Sequence, residues 1–242
     1  MYLEHLKRCL TGIIQEDPGI DTSGNIVPFD CVVRTEGRDW PKSAYTMVGL
    51  RRLDNLQFCI EDVIRNNIPG DLIETGTWRG GASIFMRAVL KAYGITNRTV
   101  WVADSFRGLP PPNPEKYPMD KGDIHHTIDY LRVSSEQVRS NFARFNLLDD
   151  QVRFLEGWFS ETLPTAPISS LAILRIDADM YESTMEALID LHPKLSNGGY
   201  VIIDDYGALP GCRKAVDDYR ATNGITQQII YVDWTGIYWQ CP

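Results

Sequence analysis

The stretch LAILRIDADM, residues 171–180, joins an apolar segment to two acids, Asp177 and Asp179, that are separated by a single alanine. The stretch GGYVIIDDYG, residues 198–207, repeats this arrangement with two adjacent acids. Apolar runs of this length without alternation are typical of strands that helices cover on both faces. We therefore predict two buried strands, each ending in a pair of carboxylates.

Strand-like and helix-like segments alternate through residues 71–242, beginning with the strand DLIETG and the helix GGASIFMRAVLKAYG. Such alternation predicts an α/β fold with a doubly wound, mostly parallel sheet, here of seven strands. The final segment QQIIYVDWTGIYWQC indicates a hairpin, so the last strand should be antiparallel. Residues 1–70 show helical periodicity without strand patterns and predict a helical N-terminal extension, or cap, in front of the sheet domain.

Composition excludes several classes of function. A net charge of −8 over 242 residues argues against general affinity for nucleic acid or an anionic membrane. No apolar run approaches the roughly 18–20 residues of a membrane span, and the N-terminus lacks the apolar core of a signal peptide. The five cysteines are scattered and form no CxxC pair, which is typical of free thiols in a reducing compartment. We expect a cytoplasmic protein with neither nucleic acid nor membrane as partner.

The segment of residues 107–133 has no clear period and contains four prolines between residues 110 and 114. Loops of this length inside a compact domain are usually functional or disordered. We predict a lid over about residues 107–133. It carries His125 and His126, for which substrate contact and plain solvent exposure are both open.

The turn ETGTWRGG, residues 74–81, follows the first strand of the sheet domain. It lacks the GxGxxG spacing of dinucleotide-binding turns and the GKS/T of a P-loop, and Glu74 would repel a pyrophosphate. Asp104 ends the second strand, where an acid can accept both hydroxyls of a ribose. A nucleoside with a positive centre and no phosphate fits this pattern, and S-adenosylmethionine (SAM) is the obvious candidate. A plain tight turn and a helix cap are the alternatives.

The acids at the strand ends require a positive partner. Two charges about 4 Å apart repel by about 4 kcal/mol at an effective dielectric constant of about 20. Oxygen ligands without thiolates or a histidine cluster suit Mg²⁺, Mn²⁺ or Ca²⁺. We predict that Asp177, Asp204 and Asp205 bind one such ion and that Asp179 is the general base. Helix capping by Asp179 and turn formation by the other pair are the alternatives.

Taken together, the motifs resemble the macrocin O-methyltransferase family, whose members methylate sugar hydroxyls of macrolides and related natural products. The resemblance rests on EGRDWPKSAYTMVGLRRLDNLQ, DLIETGTWRGGASIFMRAVL, VWVADSFRGLP, LLDDQVRFLEGWFSETLPTAP, LRIDADMYESTMEAL and GGYVIIDDYG, which cover about four fifths of the chain. It implies a class I SAM-dependent methyltransferase fold, a lid and Mg²⁺. The stretches before residue 36 and within residues 110–130 match least, and there we expect acceptor specificity to reside.

Carried over by motif, the resemblance implies the site residues as well. Asp177, Asp204 and Asp205 match the metal ligands, and Asp179 matches the base. The implied SAM contacts are Thr46, Met47, Glu74, Thr75, Gly76, Trp78, Asp104, Ser105, Arg107, Gly108, Gly157, Trp158 and Asp177.

These features predict a metal-dependent O-methyltransferase that methylates a sugar hydroxyl of a glycosylated natural product of macrolide or aminocoumarin type. A catechol-type O-methyltransferase is one alternative, which assays of simple catechols against glycosylated acceptors would separate. A non-catalytic SAM- or metal-binding module is the alternative of another class, and measurable turnover would exclude it. The amphipathic N-terminal helices suggest contacts in a homo-oligomer, a dimer or a tetramer.

Overall fold

The structure, a computed structural model, describes residues 1–21 and 23–242. Within them the helices are α1 (Tyr2–Leu10), α2 (Cys31–Thr35), α3 (Leu50–Arg65), α4 (Gly81–Ala92), α5 (Ser135–Arg144), α6 (Phe159–Thr162), α7 (Tyr181–Leu191) and α8 (Pro210–Thr222). The strands are β1 (Gly19–Ile20), β2 (Ile26–Val27), β3 (Trp40–Pro41), β4 (Asp71–Thr75), β5 (Val100–Asp104), β6 (Val152–Glu156), β7 (Leu171–Ile176), β8 (Leu195–Ile203), β9 (Ile230–Tyr231) and β10 (Ile237–Gln240).

The main sheet has seven strands in the order β6-β5-β4-β7-β8-β10-β9. Strands β4 to β8 pair in parallel, and β10 runs antiparallel to both β8 and β9. The predicted mostly parallel sheet with an antiparallel last strand is confirmed. The chain leaves β4 towards β5 and β6 on one side and returns to β7 on the other, so the switch point lies between β4 and β7.

Both faces of the sheet are covered, and successive strand residues serve opposite cores. Leu72 and Val102 belong to the hydrophobic cluster beneath α1, α3, α4 and α5. Their neighbours Ile73 and Trp101 belong to the cluster beneath α7 and α8. This arrangement explains why the strands read as continuously apolar rather than alternating.

The N-terminal region contains more than helices. Strands β1, β2 and β3 form a small antiparallel sheet in the order β2-β1-β3, so the prediction that residues 1–70 lack strands is wrong. Each of these strands has two residues, which is too short to produce an alternating pattern. Helices α1 and α3 pack into the same core as α4, with Leu10, Leu53 and Phe85 fully buried there. The division of the chain at residue 70 stays a prediction.

Local features of the sequence explain several element boundaries. Ser134 caps α5, because its hydroxyl accepts a hydrogen bond from the backbone N–H of Gln137. Within residues 107–133 the chain forms three short 3₁₀ turns, Pro118–Asp120, His125–Thr127 and Asp129–Leu131, which a sequence period would not reveal. No helix in the described ranges is long and apolar enough to cross a membrane.

Candidate active site

A cavity of about 640 Å³ lies at the carboxyl ends of the parallel strands, beside the switch point. Its volume falls within the usual range for a small-molecule site. Each of the five parallel strands contributes to its wall the residues that follow it, as expected for an open α/β sheet. These residues are Gly76 after β4, Asp104 and Ser105 at β5, Gly157 and Trp158 after β6, Asp177 and Asp179 after β7, and Asp204 and Asp205 after β8.

The glycine-rich turn is shaped by backbone conformations that few side chains tolerate. Gly76 has a φ of +80°, and a Cβ placed there would collide with the backbone carbonyl of Asp177 on the neighbouring strand. Trp78 has a φ of +46°, which is uncommon for a residue with a side chain. The turn is therefore held close to β7, with the indole of Trp78 on the cavity wall.

The carboxylate of Asp104 organises the two turns that flank the cavity. Its Oδ2 accepts from the backbone N–H of Thr77 at 2.7 Å, and its Oδ1 accepts from the N–H of Phe106 at 2.7 Å. Burial raises the pKa of Asp104, and these backbone hydrogen bonds oppose the shift. An ionised carboxylate has about four acceptor sites, so Asp104 keeps capacity for a donor from the cavity.

Three of the four predicted acids converge. One oxygen from each of Asp177, Asp179 and Asp205 lies within 4.8 Å of the others. The backbone N–H of Asp179 also donates to Oδ2 of Asp205 at 3.3 Å. Asp179 has a φ of +59°, in the left-handed region that few residues other than glycine, asparagine and aspartate adopt. It does not cap α7, since the cap residue is Met180.

Burial and mutual repulsion shift the acids of this cluster. Burial, followed by repulsion from Asp204, raises the pKa of Asp177 to about 8. Burial raises the pKa of Asp179 to about 6, with His125 opposing the shift. The pKa of Asp205 is raised well above its usual range by burial and by the other acids. This crowding of negative charge therefore favours the binding of protons or of a cation.

Asp204 also lines the cavity, but both of its carboxylate oxygens are held in a buried network of ion pairs. Its Oδ1 accepts from Arg175 and its Oδ2 accepts from Arg52. Arg175 is 2% exposed and also donates to Glu74 at 2.5 Å and to Asp177 at 3.1 Å. Two arginines thus hold the acids at the ends of β4, β7 and β8, with Arg175 buried and Arg52 in the cavity wall.

The segment of residues 107–133 is attached at two points and forms part of the cavity wall. The carboxylate of Asp120 accepts from the backbone N–H groups of Tyr181 at 2.7 Å and Glu182 at 3.0 Å, at the start of α7. Further along, the ring of Tyr130 stacks on that of Trp40 with centroids 5.2 Å apart. Asp120 satisfies helix N–H groups that would otherwise lack partners.

The two histidines of this segment differ. His125 lines the cavity, and its Nδ1 lies 2.8 Å from Oδ2 of Asp123. His126 does not line the cavity. The carboxylate of Asp123 makes Nδ1 a donor, so Nε2 of His125 is an acceptor when the ring is neutral and a second donor when it is protonated.

The predicted cofactor residues divide into two sets. Met47, Gly76, Trp78, Asp104, Ser105, Gly108, Gly157, Trp158 and Asp177 line the cavity, whereas Thr46, Glu74, Thr75 and Arg107 do not. Thr75 is fully buried, and both oxygens of Glu74 are taken, by Ser83 and Arg175. A residue at the end of a buried strand points either up to the site or sideways into the core, and sequence alone does not separate these cases.

Arg52 and Arg175 were not predicted from the sequence as residues of the site. Arg175 interrupts an otherwise apolar strand, and a charge in a buried strand signals a partner across the sheet. Arg52 gives no such signal, because an arginine on a helix is ordinarily exposed. Trp234, in the turn before β10, also lines the cavity and was not singled out.

Comparison with known protein families matches residues 20–241 to Macrocin-O-methyltransferase (TylF). Demethyldecarbamoylnovobiocin O-methyltransferase of Streptomyces niveus is 52% identical, over 99% of this chain and 93% of that protein. The 8-demethyl-8-(2,3-dimethoxy-alpha-L-rhamnosyl)-tetracenomycin-C 4'-O-methyltransferase of Streptomyces olivaceus is 54% identical, over 99% of this chain and 92% of that protein.

Among solved structures, that of the O-methyltransferase NovP superposes with a TM-score of 0.95 at 52% identity. The match covers 99% of this chain and 98% of that chain. The fold is the class I methyltransferase fold, as predicted. The chain belongs to the macrocin O-methyltransferase family of SAM-dependent O-methyltransferases.

Proposed function

We propose that this protein transfers the methyl group of SAM to a sugar hydroxyl of a glycosylated natural product and that it needs a divalent cation to do so. The observation that carries the proposal is the convergence of Asp177, Asp179 and Asp205 beside the strand ends that bear Gly76 and Asp104. The relatives support the acceptor class, because their names describe methylation of a novobiocin precursor and of a rhamnosyl tetracenomycin.

The SAM pocket in this proposal occupies the ends of β4, β5 and β6. Asp104, which already accepts from Thr77 and Phe106, would hold a ribose hydroxyl, Gly76 would leave room at the backbone, and Trp158 would border the adenine. The further contacts are Met47, Trp78, Ser105, Gly108, Gly157 and Asp177. Thr46, Glu74, Thr75 and Arg107 then act indirectly, by supporting these residues from outside the cavity wall.

The acids fit a divalent cation. Their raised pKa values reflect negative charges crowded into a poorly hydrated space, and hard oxygen donors suit Mg²⁺. Asp177 and Asp205 would hold the ion. Asp204 would complete the set, since its arginine partners use two of about four acceptor sites of the carboxylate.

When bound, SAM supplies an electrophilic methyl on a sulfonium and the cation supplies positive charge for the acceptor oxygen. Asp179 takes the proton of the attacking hydroxyl as the new O–CH₃ bond forms and the S–CH₃ bond breaks, which leaves a neutral thioether. A pKa of about 6 suits this residue to accept a proton near neutral pH. The segment anchored by Asp120 and Tyr130 closes the cavity and excludes water.

The proposed function is tested by incubating the protein with SAM, MgCl₂ and a panel that contains glycosides and simple catechols. We expect a mass increase of one methyl group on glycosides only, and no product in the presence of EDTA. Methylation of catechols in preference to every glycoside would replace the proposal with the catechol-type activity. Full turnover in EDTA would show that the reaction needs no divalent cation.

Mg²⁺ should stabilise the protein, and more so at high pH. The folded-state pKa values of Asp177 and Asp179 lie above the ordinary value of about 3.9, so these acids stabilise the metal-free fold at low pH and lose that contribution as the pH rises from about 4 to about 8. Protons compete with the ion strongly at about pH 5 and much less at about pH 9, one unit above the pKa of Asp177. At about 100 times its Kd, the ion adds about 2.7 kcal/mol, or roughly 5–10 °C in Tm.

Thermal unfolding of wild-type protein with and without MgCl₂ at the two pH values measures this shift. Asp205→Asn should lose the shift, whereas Asp150→Asn, an exposed acid outside the site, should keep it. An equal shift at both pH values, or one that survives in Asp205→Asn, would contradict binding at this cluster.

A further inference from the structure

Trp234 is a large aromatic residue that the fold holds rigidly yet leaves 39% exposed. Its indole Nε1 donates to the backbone carbonyl of Glu36 at 2.9 Å. The guanidinium of Arg38 lies over the ring, 4.6 Å from its centroid. Two residues of the N-terminal region thus fix the direction of the ring, and Trp234 is among the residues that line the cavity.

The turn that carries Trp234 is anchored on both sides. Oδ1 of Asp233 accepts from the backbone N–H groups of Thr235 and Gly236, and its Oδ2 lies 3.1 Å from Nε of Arg52. The hydroxyl of Thr235 donates to the carbonyl of Asp204 at 2.9 Å, next to the acid cluster. The position of Trp234 is therefore coupled to the carboxylates of β8.

The order of the strands places Trp234 at the far side of the acids from the proposed SAM pocket. Ile237 at the start of β10 pairs with Ile203 at the end of β8, so the turn of Trp234 lies at the same edge as the acids. Neighbouring strands are about 4.8 Å apart, which puts this turn roughly 10 Å beyond the end of β7. The cavity continues past Asp205 to Trp234, Ala208 and Leu209, so an acceptor whose hydroxyl reaches the acids has room to extend towards Trp234.

We propose that Trp234 binds the apolar aglycone of the glycosylated acceptor and thereby makes the protein prefer glycosides that carry a large ring system over the bare sugar. The inference rests on the proposed function, because it assumes that the sugar occupies the acid cluster. A rigid indole loses little entropy on contact and offers a broad stacking surface, which suits a flat or macrocyclic apolar partner.

The experiment measures Kd by calorimetry for two probes, a coumarin O-rhamnoside and methyl rhamnoside, with S-adenosylhomocysteine and MgCl₂ present. Wild-type protein should bind the coumarin glycoside about tenfold more tightly, as expected for one stacking aromatic contact worth about 1.4 kcal/mol. Trp234→Ala and Trp234→Leu should lose this preference and keep the Kd for methyl rhamnoside, whereas Trp234→Phe should retain part of it.

Tyr231→Ala is the matched control, because Tyr231 is 61% exposed on the same hairpin and does not line the cavity. It should bind both probes as the wild type does. A wild type without preference, or a preference that survives in both Trp234→Ala and Trp234→Leu, would overturn the inference. A preference that depends on Trp234, in a wild type that methylates no glycoside, would support the inference and contradict the proposed function alone.

Discussion

Replacing Asp179 with asparagine is expected to lower kcat by about 10²–10⁴-fold, the usual effect of removing a general base. The amide keeps the shape of the side chain and tolerates the left-handed φ of this position, but it cannot accept the proton. The defect should therefore fall on kcat, with the KM for SAM and for the acceptor little changed. Steady-state kinetics on wild-type and variant protein measure the two parameters separately.

Asp190→Asn is the control for this change, since Asp190 lies on α7 outside the cavity wall. Near wild-type turnover by Asp179→Asn would refute the role of Asp179 as base. Complete recovery of that variant by excess Mg²⁺ would make Asp179 a metal ligand, which its place in the converging cluster permits. The base would then be sought at Nε2 of His125, whose Nδ1 is held by Asp123.

Replacing Arg175 with methionine is expected to lower the free energy of unfolding by about 3–5 kcal/mol, because it leaves buried acids without their partner. Arg175 contacts Glu74, Asp177 and Asp204, and both Glu74 and Asp204 have side chains that are at most 4% exposed. Urea unfolding at neutral pH measures the loss. Methionine fills similar space, so the missing charge rather than a cavity is tested.

Two variants show whether charge is the cause. Arg139→Met removes an exposed arginine that lies over the ring of Phe154 and should cost no more than about 1 kcal/mol. Adding Glu74→Gln to Arg175→Met should restore part of the lost stability, since one of the unpaired acids is then neutral. A loss below 1 kcal/mol in Arg175→Met, or no recovery in the double variant, would contradict the assignment.

The sheet was predictable because its strands and helices follow patterns that physical chemistry dictates. A mostly apolar run such as LAILRI is typical of a doubly covered strand, and helices between such runs indicate parallel pairing. The three strands of the N-terminal region were not predictable in this way, since two residues carry no period. Asp120 gave no signal either, because the helix N-terminus that it caps begins 61 residues later in the sequence.

The sequence predicts which edge of the sheet carries the candidate site, but it does not predict the orientation of every side chain there. Strand order brings Asp177, Asp179 and Asp205 together, as their positions at the ends of neighbouring strands required. The side chain of Asp204 is held by Arg52 of α3 and by Arg175 of β7, and the side chain of Glu74 is held by Arg175. Such long-range pairing is a property of packing, which no local pattern contains.

Mass spectrometry of the reaction product is the most direct test of the proposed methylation of a sugar hydroxyl. The protein is incubated with SAM labelled with deuterium in the methyl group, with MgCl₂ and with a coumarin O-rhamnoside or a related glycoside, and the product is fragmented at the glycosidic bond. We expect the labelled methyl group on the sugar fragment, and we expect Asp179→Asn to form this labelled product at least about 100 times more slowly. A label on the aglycone fragment, or no label on any glycoside under these conditions, would contradict the proposed methylation.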